Sequence, residues 1–126
     1  MNIKNIDHIV LTTQNLEKCL HFYGTILDME VDANNNRYAV KFGNQKINIH
    51  RGKAEFLPAA KNVTFGSVDI CLIAEGDIED IKAELERKGA EIELGIVQRT
   101  GANGPIDSLY LRDPDENLIE ISVYKK

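Results

Sequence analysis

The sequence predicts an α+β protein made of two βαβββ modules, whose curved mixed sheets are expected to surround a cleft. Two observations predict it. Segments of strand period and helix period follow one another as β-α-β-β-β, and the same order then occurs a second time with little residue identity. In addition, 126 residues at 43% hydrophobic and 28% charged is ordinary globular composition, long enough to bury a core without staples. We expect one domain over 1–126, with module one at about 1–51, a connector at 52–66 and module two at 67–126.

The first module reads as follows. Ile6 to Thr12 is β-branched and alternates, so it is a strand. Asn15 then caps a helix with Leu16, Cys19, Leu20, Tyr23, Ile26 and Leu27 at helical spacing. Met29 to Ala33 is a strand, Asn34-Asn35-Asn36 is turn chemistry, and Arg37 to Phe42 alternates again. Gly43-Asn44 makes a two-residue hairpin into Lys46 to Arg51. The stretch 52–66 carries Pro and Gly without a period and reads as a connector.

The second module opens with a strand from Val68 to Ala74. A helix from Ile78 to Lys88 follows, capped by Asp77, stopped by Gly89 and buried along Ile78, Ile81 and Leu85. Glu91 to Gln98 is a strand, Arg99 to Asp107 a Gly/Pro loop and Ser108 to Arg112 a short strand. Asp113 to Asn117 is a turn with Pro114 setting its first central dihedral, and Leu118 to Tyr124 is the last strand.

Charge and hydropathy narrow the partners. A net charge of −5 without a basic cluster gives no electrostatic footprint for nucleic acid. No apolar run approaches the ~20 residues that span a bilayer, and the start MNIKNIDHIV lacks a secretory signal pattern. We expect a cytoplasmic protein whose partner is a small molecule or a second copy of itself. Cys19 and Cys71 occupy apolar-looking positions and read as reduced core residues.

Four strands share a polar pattern. Alternate strand residues lie on one face. Ile119, Ile121 and Val123 form an apolar face, and Glu120 lies on the other. The first strand sets Ile9 and Leu11 against His8, the fourth sets Ile47 and Ile49 against Asn48 and His50, and the strand that opens module two sets Ile70 and Leu72 against Asp69. One face of an antiparallel sheet is often wet and therefore polar. Here, however, mid-strand His, Asp and Glu come from equivalent strands of the two modules. Imidazole with carboxylates suits a divalent ion such as zinc, nickel, manganese or iron(II).

The opening IDHIVLTTQNLEKCLHFYGTILDMEV and the closing RDPDENLIEISVY, with the order of elements, resemble the vicinal oxygen chelate superfamily of glyoxalases, bleomycin-resistance proteins and extradiol dioxygenases. QKINIH, GSVDICLI and RTGANGPIDSLYLRDPD look most like the branch called glyoxalase domain-containing protein 5. The resemblance implies metal ligands at His8 and Glu120. It places the fourth-strand ligand, commonly Glu or Gln, at Asn48, with His50 on the same face two residues on, and the opening ligand of module two, commonly His, at Asp69. His50 is the better donor of its pair. Strict glyoxalase I chemistry needs a carboxylate where Asn48 stands and is not expected.

The resemblance implies a metal-dependent lyase, isomerase or dioxygenase acting on a small oxygen-rich or anionic molecule. It also implies a homodimer with interfacial sites, Glu120 being the catalytic carboxylate. The alternative it leaves is a metal-free binding protein of the bleomycin-resistance kind. Arg99, Tyr110, Arg37 and Asn48 are candidate substrate contacts, since Arg grips carboxylates and phosphates with paired hydrogen bonds. The Arg99–Pro105 loop is a candidate lid or a plain turn. Glu116 stands where the family turn has Gly, so either the turn type differs or strain is accepted.

Overall fold

In the computed structural model, which describes residues 1–126, each module closes by the same pairing rule: its first strand lies parallel to its last. The sheets run β1-β4-β3-β2 and β5-β8-β7-β6. Both βαβββ modules and the mixed four-stranded sheets are therefore those the sequence predicts. The chain divides into Met1–Phe65 and Gly66–Lys126.

In the first unit, β1 (His8–Thr12) leads to α1 (Leu16–Leu20), then β2 (Glu30–Asn34), β3 (Arg37–Phe42) and β4 (Gln45–His50). Asn15 caps α1 as expected, its Oδ1 accepting from the Lys18 N–H at 3.0 Å. The helix does not keep one pitch. From His21 to Ile26 it widens into a π-turn, and the Leu27 N–H donates to the Phe22 carbonyl, five residues back, at 3.0 Å. Widening rotates the buried stripe. Neighbouring Phe22 and Tyr23 are both buried, which a uniform helix with the predicted stripe does not give. With Cys19 they join Leu11, Val40, Ile47 and Ile49 among the buried apolar residues of this unit.

Two short reversals set the register of the first sheet. Asn35 and Asn36 adopt φ of 53° and 61° between the paired Asn34 and Arg37, and Asn is among the few residues that tolerate that region. Gly43 at φ 52° turns between Phe42 and Gln45.

The second unit holds β5 (Asp69–Ile73), α2 (Ile78–Arg87), β6 (Leu94–Gly101), β7 (Gly104–Arg112) and β8 (Leu118–Tyr124). The Asp77 side chain accepts from the Glu79 and Asp80 N–H groups, so the predicted cap holds. Ile78 and Leu85 are buried, whereas Ile81 is only partly so.

The segment Arg99–Asp107 is no loop. β6 runs on to Gly101, β7 starts at Gly104, and only Ala102 and Asn103 lie between. Thr100 pairs with Pro105 and Gly101 with Gly104. A Cβ on Gly101 would lie 2.7 Å from the Tyr124 hydroxyl, so the glycine makes room for that ring. The same hydroxyl accepts from the Asn103 N–H at 3.0 Å, anchoring the hairpin tip to β8. The segment that the sequence offers as a lid or a plain turn is thus a paired β-ribbon with a two-residue tip.

The turn from Asp113 to Asn117 buries Asp113, Asp115 and Asn117 and leaves Pro114 and Glu116 exposed. Asp113 accepts from the Asp115 and Asn117 N–H groups and from the Asn117 side-chain amide, and Asn117 Oδ1 accepts from the Val68 N–H at 2.8 Å. Glu116 takes φ of 72°, the conformation a glycine would adopt freely. The turn type is kept and the strain accepted.

Candidate functional site

Strand registers fix which side chains share a face. In the first unit His8, Val10 and Thr12 pair with Lys46, Asn48 and His50, and Ala39 and Lys41 pair with Asn48 and Lys46. In the second, Asp69, Cys71 and Ile73 pair with Leu118, Glu120 and Ser122, and Ser108 and Tyr110 pair with Ser122 and Glu120. Each sheet therefore has one apolar face and one face bearing the predicted polar groups.

The registers also decide which residue of β4 corresponds to Glu120. Glu120 stands opposite Cys71, two residues after Asp69, and Asn48 stands opposite Val10, two residues after His8. Asn48 is the counterpart of Glu120 in its unit, and His50 is the counterpart of Ser122. An amide thus occupies the position that in the other unit carries a carboxylate.

Glu120 is half-buried and held by hydroxyls. Its Oε2 accepts from Ser108 Oγ at 2.7 Å and from Ser122 Oγ at 3.2 Å. The two serines are also 2.7 Å apart and buried. Both hydrogen bonds fall on one oxygen, which fixes the carboxylate plane and leaves Oε1 without a hydroxyl donor. This answers how a carboxylate tolerates an otherwise apolar strand: two buried serines solvate one side of it.

Cys71 faces the same way. It was expected in the core, but it is exposed on the Glu120 face, because β5 alternates and Ile70 and Leu72 take the apolar side. Its Sγ lies 3.3 Å from Ser122 Oγ. Burial of the sulfur pushes the thiol above its ordinary range; the Ser122 hydrogen bond pulls the other way and the Glu120 charge adds to the rise. It is not a ready nucleophile. Cys19, by contrast, is fully buried as expected, and both cysteines are free.

Tyr110 and Arg99 extend this face. Arg99 Nε donates to the Tyr110 hydroxyl at 3.1 Å and Arg99 Nη1 donates to the Gln98 carbonyl. Because the phenol oxygen is already accepting, its own O–H is directed elsewhere. Asp69 is exposed at the start of β5.

His8 is oriented by its neighbour. Its Nδ1 lies 2.8 Å from Asp7 Oδ1, and that hydrogen bond holds the Asp7 carboxyl below its ordinary value, against a smaller opposing effect of burial. Nε2 is left as the free nitrogen, the arrangement by which carboxylates orient metal-binding imidazoles.

His50, Asn48 and Arg37 come together around a polar hollow of about 300 Å³ on the first sheet, with Asp32, Lys46 and Phe56 also in its wall. Phe56 was not foreseen, since it lies in the connector. The Arg51 backbone and guanidinium both bond Glu55, which holds Phe56 against His50, the rings crossing at 76° with centroids 5.2 Å apart.

For a metal ion, the donor chemistry fits: imidazole nitrogens and carboxylate oxygens, with His8 held at Nδ1 and Glu120 held at Oε2. In neither unit do three His, Cys, Asp or Glu side chains gather at one point. Each unit supplies two of the four expected ligands, His8 and His50 in one and Asp69 and Glu120 in the other.

Two βαβββ modules with mixed four-stranded sheets, each bearing His or carboxylate side chains on its polar face, define the α+β glyoxalase fold class. No helix is long and apolar enough to cross a membrane. A sequence profile of the Glyoxalase/Bleomycin resistance protein/Dioxygenase superfamily matches residues 5–121, and the chain belongs to that superfamily. It is 46% identical over 125 residues to the virulence protein STM3117 of Salmonella typhimurium, covering 98% of this chain and 87% of that one. It is 40% identical to the glyoxalase domain-containing protein RDO1 of Mycosarcoma maydis, over 99% of this chain and 71% of the relative. Among solved structures, the integron cassette protein VCH_CASS1 from the mobile metagenome of V. cholerae is 44% identical with a TM-score of 0.95, over 99% of this chain and 98% of that one.

Proposed function

We propose that this protein is a metal-dependent enzyme of the vicinal oxygen chelate type, a lyase, isomerase or dioxygenase acting on a small oxygen-rich or anionic molecule. Within the superfamily its motifs favour the glyoxalase domain-containing protein 5 branch. The observation that carries the reading is the state of Glu120, with Oε2 held by Ser108 and Ser122 and Oε1 without a hydroxyl donor. A solvated surface carboxylate has no need of two buried hydroxyls.

His8, His50, Asp69 and Glu120 would hold the divalent ion, zinc, nickel, manganese or iron(II). Once bound, it supplies Lewis acidity to two adjacent substrate oxygens. The rest belongs to the chain. Glu120 exchanges a proton at Oε1 while the serines keep its plane. Tyr110, with its oxygen engaged by Arg99, offers its O–H to the substrate, and Asn48 and Arg37 bind it. The asparagine opposite Val10 argues against strict glyoxalase I chemistry. We further propose that the protein works as a homodimer in the cytoplasm, as one domain.

The test is metal content of protein purified without chelator, beside His8→Ala and Glu120→Ala. Stoichiometric metal in the wild type, lost from both variants, supports the enzyme. A folded, metal-free wild type sinks it. Oxygen uptake with catechols then separates dioxygenase from lyase or isomerase chemistry.

A metal-free binding protein is the second reading, and one observation favours it. The hollow lined by Arg37, Asn48, His50 and Phe56 is already formed within one unit, whereas neither unit alone gathers three ligating groups.

A further inference from the structure

The hollow on the first sheet has a definite origin. Ala39 lies between Asp32 and Asn48 in one row of paired residues, and its methyl group leaves a gap where longer side chains stand on either side. Asn34 and Arg37 form the neighbouring row on one side, and Lys41 and Lys46 stand on the other. The gap is the floor of the hollow, and its walls are polar and charged.

Arg37 is unusual within it. A guanidinium carries five N–H donors in a rigid fork, yet none of them meets a hydrogen-bond acceptor or a carboxylate of the chain. Asp32 is diagonal to Arg37 across the β2–β3 pair and forms no ion pair with it. The guanidinium instead lies over the Phe56 ring, 4.0 Å from its centroid. The ring's other neighbour is His50, which meets it edge to face. The contact orders the arginine without using its donors.

The remaining charges of the hollow favour an anion. Lys46 adds a second cation, against the single carboxylate of Asp32. Asn48, Asn34 at the end of β2 and the turn residue Asn35 add amides able to donate. An oriented, unused fork beside a second cation matches a carboxylate, which accepts two parallel N–H bonds.

We propose that Arg37, braced on Phe56, anchors the carboxylate of a small carboxylic acid, which is the substrate class of this site. The assignment rests on the reading above that this sheet face handles substrate, but it makes no demand on the metal.

The experiment is calorimetric titration of the full-length protein with malonate and with its neutral counterpart malonamide, metal content being measured on the same samples. Wild type binds malonate and not malonamide. Arg37→Met weakens malonate by about tenfold or more, because a charge-assisted pair is lost, and leaves metal content unchanged. Arg37→Lys recovers only part, having the charge but not the fork. Phe56→Leu weakens binding while leaving the charge in place. His8→Ala retains malonate binding, which separates an arginine anchor from malonate chelated by a metal. Equal binding of the diamide, no malonate binding by wild type, or malonate binding lost in His8→Ala and kept in Arg37→Met would each overturn the assignment. A metal-free wild type that still binds malonate through Arg37 would overturn the enzyme reading and leave this one standing.

Discussion

Cys71 and Glu120 are directly paired residues on the parallel strands β5 and β8, and Ser122 links them, its hydroxyl lying 3.3 Å from the thiol and 3.2 Å from the carboxylate. The thiol is therefore a built-in reporter of the Glu120 environment. Its pKa is raised by burial of the sulfur and by the Glu120 charge and lowered by the Ser122 hydrogen bond. Both neighbours are within reach of mutation.

The two substitutions move the thiol in opposite directions. Glu120→Gln removes a charge that opposes the thiolate, so the pH midpoint of Cys71 alkylation falls. Ser122→Ala removes a hydroxyl whose single proton, donated to Glu120 while the sulfur is a thiol, turns to the thiolate as it forms, so the midpoint rises. Rates of iodoacetamide modification followed across pH by mass spectrometry report both. Shifts of the same sign would show that the Ser122 hydroxyl is not donating to sulfur.

Glu55 gives a pH dependence of stability. Burial acts to raise its carboxyl, but the Arg51 backbone N–H, guanidinium and charge outweigh this and bring it below its ordinary value. The folded state thus holds this proton less tightly than the unfolded state. Its contribution is complete above the ordinary Glu range and disappears as pH falls through the lower folded value. Glu55→Gln should cost about 1 kcal/mol or less at pH 7, as partly exposed pairs do. The difference from wild type should shrink as pH falls below the ordinary Glu value of about 4.3. Urea titrations at pH 7 and pH 3 measure it, and a gap that widens in acid contradicts the assignment.

Much of this was legible from period alone. Residues such as His8, Asn48 and Glu120 fall on the polar faces because a strand alternates with period two whatever its partners are. The same rule, applied to Cys71, would have placed it beside Asp69 and Ile73 rather than in the core; its apolar character masked its position. The partners of Glu120 could not be read, because Ser108 meets it only through the register of β7. Phe56 lies in a stretch without period, so nothing in the sequence ties it to Arg37. The hairpin at Gly101–Gly104 was hidden for a different reason: Gly and Pro mark open loops and two-residue reversals alike. The π-turn after Leu20 follows from a change of hydrogen-bond partner that no residue type announces.

Asn117 is the keystone of the second unit's turn. It is buried, its Oδ1 accepts from the Val68 N–H and its amide donates to Asp113 Oδ2, both at 2.8 Å. Asn117→Leu leaves a backbone donor and a buried carboxylate short of one partner each, a loss of about 2–4 kcal/mol. Chemical denaturation should show it. A loss below 0.5 kcal/mol, on the order of an ordinary surface change, would mean that water replaces both bonds.

Gly66 makes a backbone contact with the same turn. Its φ is 73°, and a Cβ there would lie 2.6 Å from the Asp115 carbonyl oxygen. A backbone atom cannot swing aside as a side chain can, so Gly66→Ala should destabilise by about 1–3 kcal/mol, seen as a lowered Tm. Gly43 has a positive φ of 52° but nothing near its missing side chain, so Gly43→Ala carries the conformational cost without the clash and should be the milder change. Equal losses would place the whole effect in φ.

The Asp7–His8 pair tests the proposed metal site from its outer side. Asp7 Oδ1 engages His8 Nδ1, which leaves Nε2 as the coordinating nitrogen and holds the ring in place. Removing such an orienting carboxylate typically weakens metal binding about 10- to 100-fold while every direct ligand remains. Asp7→Ala should therefore lower metal affinity by that factor. Asp7→Asn, whose amide oxygen can still accept from Nδ1–H, should fall between. Because Asp7 is exposed, neither change should disturb folding, and thermal stability without metal should match wild type. Competition with a coloured chelator reads the affinities. Wild-type affinity in Asp7→Ala would mean that the imidazole needs no orienting partner, whereas equal loss in both variants would assign the effect to the charge of Asp7 rather than to its hydrogen bond.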